Sequence, residues 1–328
     1  MKQRIFGRTG RSVSEVGFGA WAIGGTWGEV SHEDAKSALH AALDAGISFI
    51  DTADVYGDGR SEKIIAEVLN ERGGERPFVA TKAGRRLSPH VAEGYNAENL
   101  TAFVDRSLEN LQTDTLDLLQ LHCPPTEVYY QPEVFAALDE MQTAGKIRAY
   151  GVSVEKIEEA LKAMEFPNVT SVQIIYNLFR QRPAELFFQE ARRRNVAVIA
   201  RVPLASGLLT GKMSASTAFS ADDHRAFNRN GEAFDKGETF SGVPYDVALD
   251  AVEDVRQFVS GDATMAAFAL RWILMADAIS VVIPGAKNPE QAQANARASD
   301  LPALSDETMA AIKAIYQQKI APWVHQRW

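Results

Sequence analysis

A chain of 328 residues is long enough for one large domain or two smaller ones. Hydrophobic residues make up 46% of it and charged residues 23%, as in ordinary globular proteins with a substantial core. The net charge of −9 excludes a general affinity for nucleic acid, because an acidic surface repels phosphates. The single cysteine, Cys123, excludes an intramolecular disulfide, and the six histidines lack metal-site spacing, so no metal is expected. No stretch predicts a membrane span or a signal peptide, so a cytoplasmic location is expected.

The first segments predict a β-hairpin, followed by strands and helices that alternate along the chain. Residues 4–6 and 13–16 flank the turn-forming tetrad Gly7-Arg8-Thr9-Gly10. Short apolar runs predict strands at residues 16–19, 48–50, 77–80, 116–121, 147–152, 171–175, 196–200 and 278–283. Most of these runs are apolar on both faces, as expected for parallel strands that are covered on both sides.

Helix signals follow most of these strands. Ser31 has the position of an N-cap with Asp34 as its capping-box partner, and Gly46 marks the end of that helix. Ser61 and Asn96 open the next two helices. Apolar periodicity predicts further helices at residues 132–144, 155–164, 183–193 and 289–298.

The alternation predicts a single α/β domain over residues 1–328, a closed (β/α)8 TIM barrel with an N-terminal β-hairpin. No Pro-, Ser- or Gly-rich linker divides the chain. The alternation of strands and helices is interrupted between predicted strands seven and eight, where residues 213–244 are polar and contain four phenylalanines. A loop of that length is usually functional or disordered, and the spaced aromatic residues favour a loop that packs on something.

Four polar side chains are predicted to meet at one end of this barrel. Asp51, Lys82 and His122 end predicted strands two, three and four, and Tyr56 lies in the loop after strand two. Active sites of TIM barrels lie at the carboxyl ends of the strands. Singly, each residue has an ordinary explanation as a cap, a solvated lysine or a core histidine. Their common placement favours a catalytic site.

The chemistry of these groups suits proton exchange with a carbonyl or alcohol oxygen. A phenol has a pKa of about 10, and a neighbouring ammonium is expected to lower the pKa of Tyr56. Asp51 would keep Lys82 charged and in place, and His122 would orient the substrate oxygen. Carbonyl reduction also needs a hydride, which no side chain supplies, so a cofactor is implied.

This combination resembles the aldo-keto reductase family over roughly residues 4–298. The resemblance rests on Tyr56 five residues after Asp51, on Lys82 after Val-Ala-Thr, and on His122 at the end of the run Leu-Leu-Gln-Leu-His. The long loop and the run Gly-Leu-Leu-Thr-Gly-Lys at residues 207–212 resemble the bacterial branch that includes the potassium-channel β subunits. The resemblance to this family implies NADP(H)-dependent reduction of aldehydes or ketones, and the reverse oxidation, with Tyr56 as general acid.

A dinucleotide site is predicted after strands seven and eight, where barrel phosphate sites lie. The run at residues 201–212 offers backbone N–H groups and the Lys212 ammonium to a pyrophosphate. Lys287, near a predicted helix N-terminus, would meet the 2′-phosphate of NADP(H), with NAD(H) as the alternative cofactor. With those that the resemblance implies, the expected cofactor-binding residues are Gly19, Ala20, Trp21, Asp51, Ser153, Gln173, Arg201, Pro203, Leu204, Ser206, Gly207, Leu208, Lys212, Gly285, Lys287, Gln291 and Asn295.

By the resemblance, Ser153 and Gln173 hold the nicotinamide carboxamide. Two positions depart from the family pattern: Val154 stands where Asn is frequent, and Arg201 where many relatives stack an aromatic ring under the nicotinamide. The Arg201 guanidinium is expected either to stack on that ring, where its charge disfavours the cationic oxidised form, or to pair with a carboxylate.

The substrate pocket is expected to be lined by Trp21, Trp27, Tyr56 and His122 and to take a small-molecule carbonyl or alcohol. The C-terminal run at residues 320–328 contains two tryptophans, which are poorly explained as solvated residues. This tail is expected either to fold over the pocket mouth or to pack on the side of the barrel or on a partner subunit.

Other interpretations remain open at this point. Residues 17–22, Gly-Phe-Gly-Ala-Trp-Ala, match a Rossmann fingerprint, but Gly24-Gly25 would break the helix that this motif requires. Lys82 is also a candidate nucleophile for a Schiff-base lyase. A third possibility is a non-catalytic, NADP(H)-binding regulatory subunit like the channel β subunits.

Overall fold

The computed structural model describes residues 1–25, 30–259, 261 and 263–328. Strands β1 (Gln3–Ile5) and β2 (Ser12–Ser14) pair antiparallel and form the predicted hairpin. Eight further strands form one parallel sheet in chain order: β3 (Phe18–Gly19), β4 (Phe49–Asp51), β5 (Phe78–Ala83), β6 (Leu118–His122), β7 (Tyr150–Ser153), β8 (Val169–Ile175), β9 (Ala197–Arg201) and β10 (Ile279–Val282).

The sheet closes on itself between its first and last strands. Parallel bridges join Val16 to Val282 and Gly19 to Gly285, and Gly17 N donates to Val282 O at 2.8 Å. Gly19 is needed at this seam, because a Cβ there would lie 2.7 Å from the carbonyl oxygen of Ile283. The predicted (β/α)8 TIM barrel is therefore confirmed.

Helices surround the barrel and supply its outer layer. The first begins as predicted, since the Ser31 hydroxyl accepts a hydrogen bond from Asp34 N at 3.0 Å. None of the helices in the described ranges is long and apolar enough to cross a membrane. In chain order the helices are α1 (His32–Asp44), α2 (Arg60–Arg72), α3 (Ala97–Leu111), α4 (Pro132–Thr143), α5 (Ile157–Ala163), α6 (Phe187–Arg193), α7 (His224–Phe227), α8 (Tyr245–Arg256), α9 (Met265–Leu274), α10 (Pro289–Arg297), α11 (Asp306–Ile315) and α12 (Ala321–Val324).

The long connection between β9 and β10 contains more structure than the sequence interpretation gave it. The predicted loop at residues 213–244, which we call the long connection, carries α7, and α8 and α9 follow it before β10; none of these three helices was predicted. Helix α8 buries Ala248, Ala251, Val252 and Val255, a spacing of three, four and seven residues that is typical of one helical face. The polar loop therefore ends where this periodicity begins.

The hairpin closes the amino-terminal end of the barrel. Phe6 is fully buried, and its ring centroid lies 5.3 Å from that of Phe49 and 5.1 Å from that of Phe78. These two partners are the first residues of β4 and β5, so the Phe6 side chain plugs the barrel at the amino-terminal ends of the strands. The carboxyl ends of the strands form the opposite, open face.

Replacing Phe6 with Ala is expected to lower the free energy of unfolding by about 3–5 kcal/mol, because it leaves a cavity in the plug. Ile5 is the matched control, since it is 59% exposed and Ile5→Ala removes little buried surface. Urea unfolding followed by circular dichroism measures both changes. Equal, small losses would show that the plug contributes little stability.

Candidate active site

The structure brings three of the four candidate catalytic residues to one rim, on adjacent strands. Asp51 is the last residue of β4, His122 is the last residue of β6, and Lys82 is next to last in β5. Strand β5 pairs with β4 on one side and with β6 on the other. The predicted convergence at the carboxyl rim is therefore present in the fold.

Lys82 is held by three oxygen acceptors. Its Nζ lies 2.5 Å from Asp51 Oδ1, 2.9 Å from Thr52 O and 3.2 Å from Tyr56 Oη. An ammonium has three N–H donors, so its hydrogen-bonding capacity is filled. Burial alone would lower the pKa of Lys82, but the Asp51 carboxylate and the Tyr56 oxygen together raise it above the ordinary value. The group stays charged.

Tyr56 is half-buried, in contact with the aromatic rings of the pocket. Its ring stacks on Trp21 at a centroid distance of 6.1 Å and meets the His122 ring edge-on at 5.8 Å. Burial raises the pKa of Tyr56, and Lys82 offsets only part of that rise. The expected effect of Lys82 has the predicted sign, but burial outweighs it. The phenol is therefore protonated at neutral pH and can donate.

His122 is neutral. Burial lowers its pKa well below the ordinary value, and the positive charges of Arg85, Lys82 and Arg201 lower it further. Its Nδ1 is buried and has no hydrogen-bond partner within the described ranges. A neutral imidazole carries one N–H, so the ring can donate one hydrogen bond to a substrate oxygen.

Two amides complete the shell of Asp51. Its Oδ2 accepts from Gln120 Nε2 at 3.1 Å and from Gln173 Nε2 at 2.7 Å. The sequence interpretation missed Gln120. The available signal was a polar residue inside an apolar strand, two positions before His122 and hence on the same face.

A second charged cluster, which we call the Arg–Glu cluster, comprises Arg85, Glu155, Arg201 and Glu238. Arg201 Nη2 lies 2.8 Å from Glu155 Oε2, and its Nη1 lies 3.7 Å from Glu238 Oε2. Arg85 bonds to the same two carboxylates, at 3.1 Å to Glu155 and in a short contact to Glu238. Arg85, Glu155 and Glu238 were not predicted, since they come from three separate loops.

Arg201 occupies the second of its two expected environments. Its guanidinium is buried and paired with carboxylates. These partners hold the guanidinium in place and offset part of its charge, although burial raises the pKa of Glu155 to about 8 and Arg201 still lowers the pKa of His122. Cys123 Sγ and oxygens of Glu155 and Glu238 lie within 4.8 Å of one another, but the adjacent guanidinium groups make this cluster unsuitable for a metal cation.

The predicted phosphate loop after β9 is tightly turned. Positive φ angles occur at Val202, Ala205, Ser206 and Gly207, with values of 51°, 47°, 55° and 96°. The Ser206 hydroxyl donates to Glu238 O at 3.1 Å and accepts from Phe240 N at 3.0 Å, so it fastens this loop to the long connection. Pro203 and Leu208 are buried, Leu204 is half-buried and Lys212 is exposed. The Ser206 hydroxyl is thus occupied by protein partners, and the backbone N–H groups of this loop are the expected contacts for a ligand.

The predicted adenosine site lies at the start of α10. Asn288 caps that helix by accepting from Gln291 N at 2.9 Å, and Gln291 Oε1 accepts from Lys287 N at 2.9 Å. Asn295 Nδ2 donates to Gly285 O at 3.1 Å.

Lys287 has a second cation near it. Its pKa is lowered by burial and by the positive charge of Arg225. Arg225, which the sequence interpretation missed, belongs to α7 in the long connection. Arg225 is itself paired with Asp223, whose carboxylate lies 2.5 Å from its Nη2 and acts on Lys287 in the opposite sense.

The remaining predicted residues border the rim. Ala20 N donates to Asp51 O at 2.8 Å, and Ser153 Oγ lies 3.4 Å from Cys123 Sγ. Trp21 also contacts Phe234 of the long connection, at a centroid distance of 6.2 Å. Trp27 lies outside the described residues.

The C-terminal tail docks on the long connection. Trp328 is buried, its Nε1 donates to Asp235 Oδ1 at 2.9 Å, and its ring lies 4.2 Å from the Arg180 guanidinium carbon. A Cβ on Gly242 would lie 2.5 Å from the indole, so the ring touches the backbone there. Trp323 is 45% exposed. The last residue therefore holds the segment that carries Glu238.

Trp328→Ala is expected to speed tryptic cleavage after Arg225, Arg229 or Lys236 by at least about threefold, because a loosened loop opens locally more often. Trp323→Ala, at the exposed tryptophan, is the matched control and should leave the rate unchanged. Mass spectrometry of timed digests gives the rates. Equal rates in both variants would show that Trp328 does not hold the loop.

A barrel whose rim carries a lysine-bound tyrosine and a neutral histidine is arranged to exchange a proton with an oxygen of a bound molecule. The sequence profile described as the Aldo/keto reductase family matches residues 15–317. The chain therefore belongs to the aldo/keto reductase family of oxidoreductases, as the sequence resemblance implied.

Three relatives place it within that family. Aldo-keto reductase YhdN from Bacillus subtilis is 34% identical, over 87% of this chain and 85% of its own length. The structure of glycerol dehydrogenase AKR11B4 from Gluconobacter oxydans superposes with a TM-score of 0.77, at 31% identity, covering 96% of this chain and 94% of that chain. A probable voltage-gated potassium channel subunit beta from Arabidopsis thaliana is 27% identical, over 97% of this chain and 98% of its own length. The predicted branch is confirmed.

Proposed function

We propose that the protein is an NADP(H)-dependent reductase of aldehydes or ketones that also runs the reverse alcohol oxidation. The observation that carries this proposal is the 3.2 Å contact between Lys82 Nζ and Tyr56 Oη, with the ammonium anchored on Asp51. Such a contact suits a phenol that gives up and takes back a proton. The likeness to a glycerol dehydrogenase supports chemistry on alcohols and carbonyls.

The residues present fit a nicotinamide dinucleotide, which would supply the hydride. Lys287, two residues before α10, suits a 2′-phosphate, which favours NADP(H) over NAD(H). The turned backbone after β9 suits the pyrophosphate. Ser153 ends β7 and pairs with Gln173 of β8, just inside the carboxyl rim, where the carboxamide of the nicotinamide is expected.

In the proposed reduction, Tyr56 donates its proton to the carbonyl oxygen as negative charge develops there. The phenolate that remains is stabilised by Lys82, whose own charge is maintained by Asp51. His122, as a neutral donor, holds the same oxygen and so fixes the orientation of the carbonyl. In the reverse direction Tyr56 accepts the proton from the alcohol.

Tyr56→Phe is expected to lower the rate of carbonyl reduction by roughly 10²–10⁴-fold, because it removes the proton donor. NADPH affinity should stay within about twofold, since the phenyl ring is retained. Tyr150→Phe is the matched control: its hydroxyl is bound to Asp139, away from the rim. Steady-state kinetics with a panel of aldehydes and ketones measures the effect. Activity of Tyr56→Phe within a few-fold of wild type would contradict the assignment.

Lys287→Ala is expected to weaken NADPH by about 10–100-fold and NADH much less, because a charge-assisted contact to the 2′-phosphate is lost. Lys212→Ala is the control: any pyrophosphate contact that it makes is common to both cofactors and should affect them equally. Fluorescence titration gives the four dissociation constants. Equal losses for NADPH and NADH in Lys287→Ala would show that Lys287 does not read the 2′-phosphate.

The structure disfavours the Schiff-base alternative. A lysine nucleophile must be neutral to attack a carbonyl, and enzymes achieve this by lowering its pKa. Lys82 has a raised pKa and three occupied N–H donors. The regulatory-subunit alternative shares the cofactor site, so turnover of an aldehyde with NADPH separates it from the reductase.

A further inference from the structure

We propose that Gln120 is a positioning residue that helps fix the side-chain amide of Gln173, so that the pocket selects a nicotinamide whose carboxamide donates an N–H. The inference rests on the proposed function and concerns a fully buried residue of the barrel interior, whose side-chain partners are Asp51 and Gln173. Gln120 would thus influence recognition of the nicotinamide carboxamide indirectly, by orienting Gln173.

Three side chains form a closed ring of hydrogen bonds below the rim. Gln120 Nε2 donates to Asp51 Oδ2 at 3.1 Å, and Gln173 Nε2 donates to the same oxygen at 2.7 Å. The second N–H of Gln173 donates to Gln120 Oε1 at 3.1 Å. All three residues are at most 2% exposed. Water therefore competes little for these bonds.

The fold brings the two amides of this ring together across one intervening strand. Gln120 lies on β6 and Gln173 on β8, with β7 between them. In the strand register Gly151 of β7 pairs with Gln120. A side chain at Gly151 would collide with the Ser171 hydroxyl, so the glycine keeps β7 and β8 close where Gln120 and Gln173 meet.

The ring determines which way each amide faces. The Asp51 carboxylate is ion-paired with Lys82 and can only accept hydrogen bonds, so both glutamines must turn their NH₂ groups toward it. Gln120 Oε1 is then left facing Gln173, where it accepts the second N–H. Both donors of Gln173 point into the ring, and its Oε1 has no hydrogen-bond partner within the described ranges.

A free acceptor at Gln173 suits a donor on the ligand. A carboxamide NH₂ supplies one, whereas a methyl ketone in the same place leaves the Gln173 oxygen without a partner. An unpaired buried acceptor is costly, so the ring should reject the ketone. The side chain of Val154 has no polar group, and its backbone N–H and carbonyl are bound to Gln173 O and Arg201, so discrimination depends more heavily on Gln173. Without Gln120, Gln173 keeps one of its two orienting bonds and turns more easily.

The test compares binding of NADPH with binding of its reduced 3-acetylpyridine analogue, which carries a methyl ketone in place of the carboxamide. Quenching of tryptophan fluorescence gives both dissociation constants without turnover. Wild type should favour NADPH by about tenfold, the value of one well-placed hydrogen bond. Gln120→Met, similar in size but without an amide, should reduce that preference to about threefold or less. Gln173→Met, which removes the acceptor, should abolish it.

Ser171→Ala is the matched control, since Ser171 is a fully buried polar residue of β8 outside the ring. It should keep the wild-type preference. If Gln120→Met does not fold, Gln120→Asn serves instead, because its shorter amide cannot reach both Asp51 and Gln173. An unchanged preference in a folded Gln120 variant would overturn this inference alone. If wild type binds neither cofactor, the proposed function is wrong as well.

Discussion

The buried ion pair between Lys82 and Asp51 is the interaction on which the open face of the barrel depends. A lysine ammonium that is 1% exposed loses its hydration, and the loss is offset only if its partners fill every donor. Asp51, Thr52 and Tyr56 do so. Buried ion pairs are often no more stable than apolar residues of the same volume, so stability does not explain this one. The ion pair is explained by its effect on Tyr56, because it holds a charged Lys82 against the phenol oxygen.

The charges around the rim keep two hydrogen-bond donors ready at neutral pH. Burial keeps the phenol of Tyr56 protonated, and burial together with three nearby cations keeps His122 neutral. Two of those cations, Arg85 and Arg201, are paired with Glu155 and Glu238, of which Glu238 has a lowered pKa and Glu155 a pKa that burial raises to about 8. The rim therefore carries a positive field near His122, while each guanidinium keeps a carboxylate partner in the interior.

The sequence predicted the barrel and its catalytic rim because those features follow from local patterns. Short apolar runs locate strands, and residues at the ends of neighbouring parallel strands must share a rim, which places Asp51, Lys82 and His122 together. The Arg–Glu cluster follows no such rule. Arg85 and Glu238 are 153 positions apart, and only the folded course of the long connection brings them into contact. The net direction of the Tyr56 pKa shift depended on burial, which the motif alone does not specify.

The long connection is tied to the proton chemistry through Glu238. Three contacts hold its segment: the Arg–Glu cluster, the Ser206 hydroxyl bonded to the Glu238 carbonyl, and the ring of Trp328. The negative charge of Glu238 contributes to the raised pKa of Tyr56, and it partly neutralises the guanidinium groups that lower the pKa of His122. Removing the Glu238 charge alone would therefore lower the pKa of Tyr56. The position of a loop more than 100 residues beyond the catalytic rim thus sets part of the electrostatic environment in which Tyr56 gives up its proton.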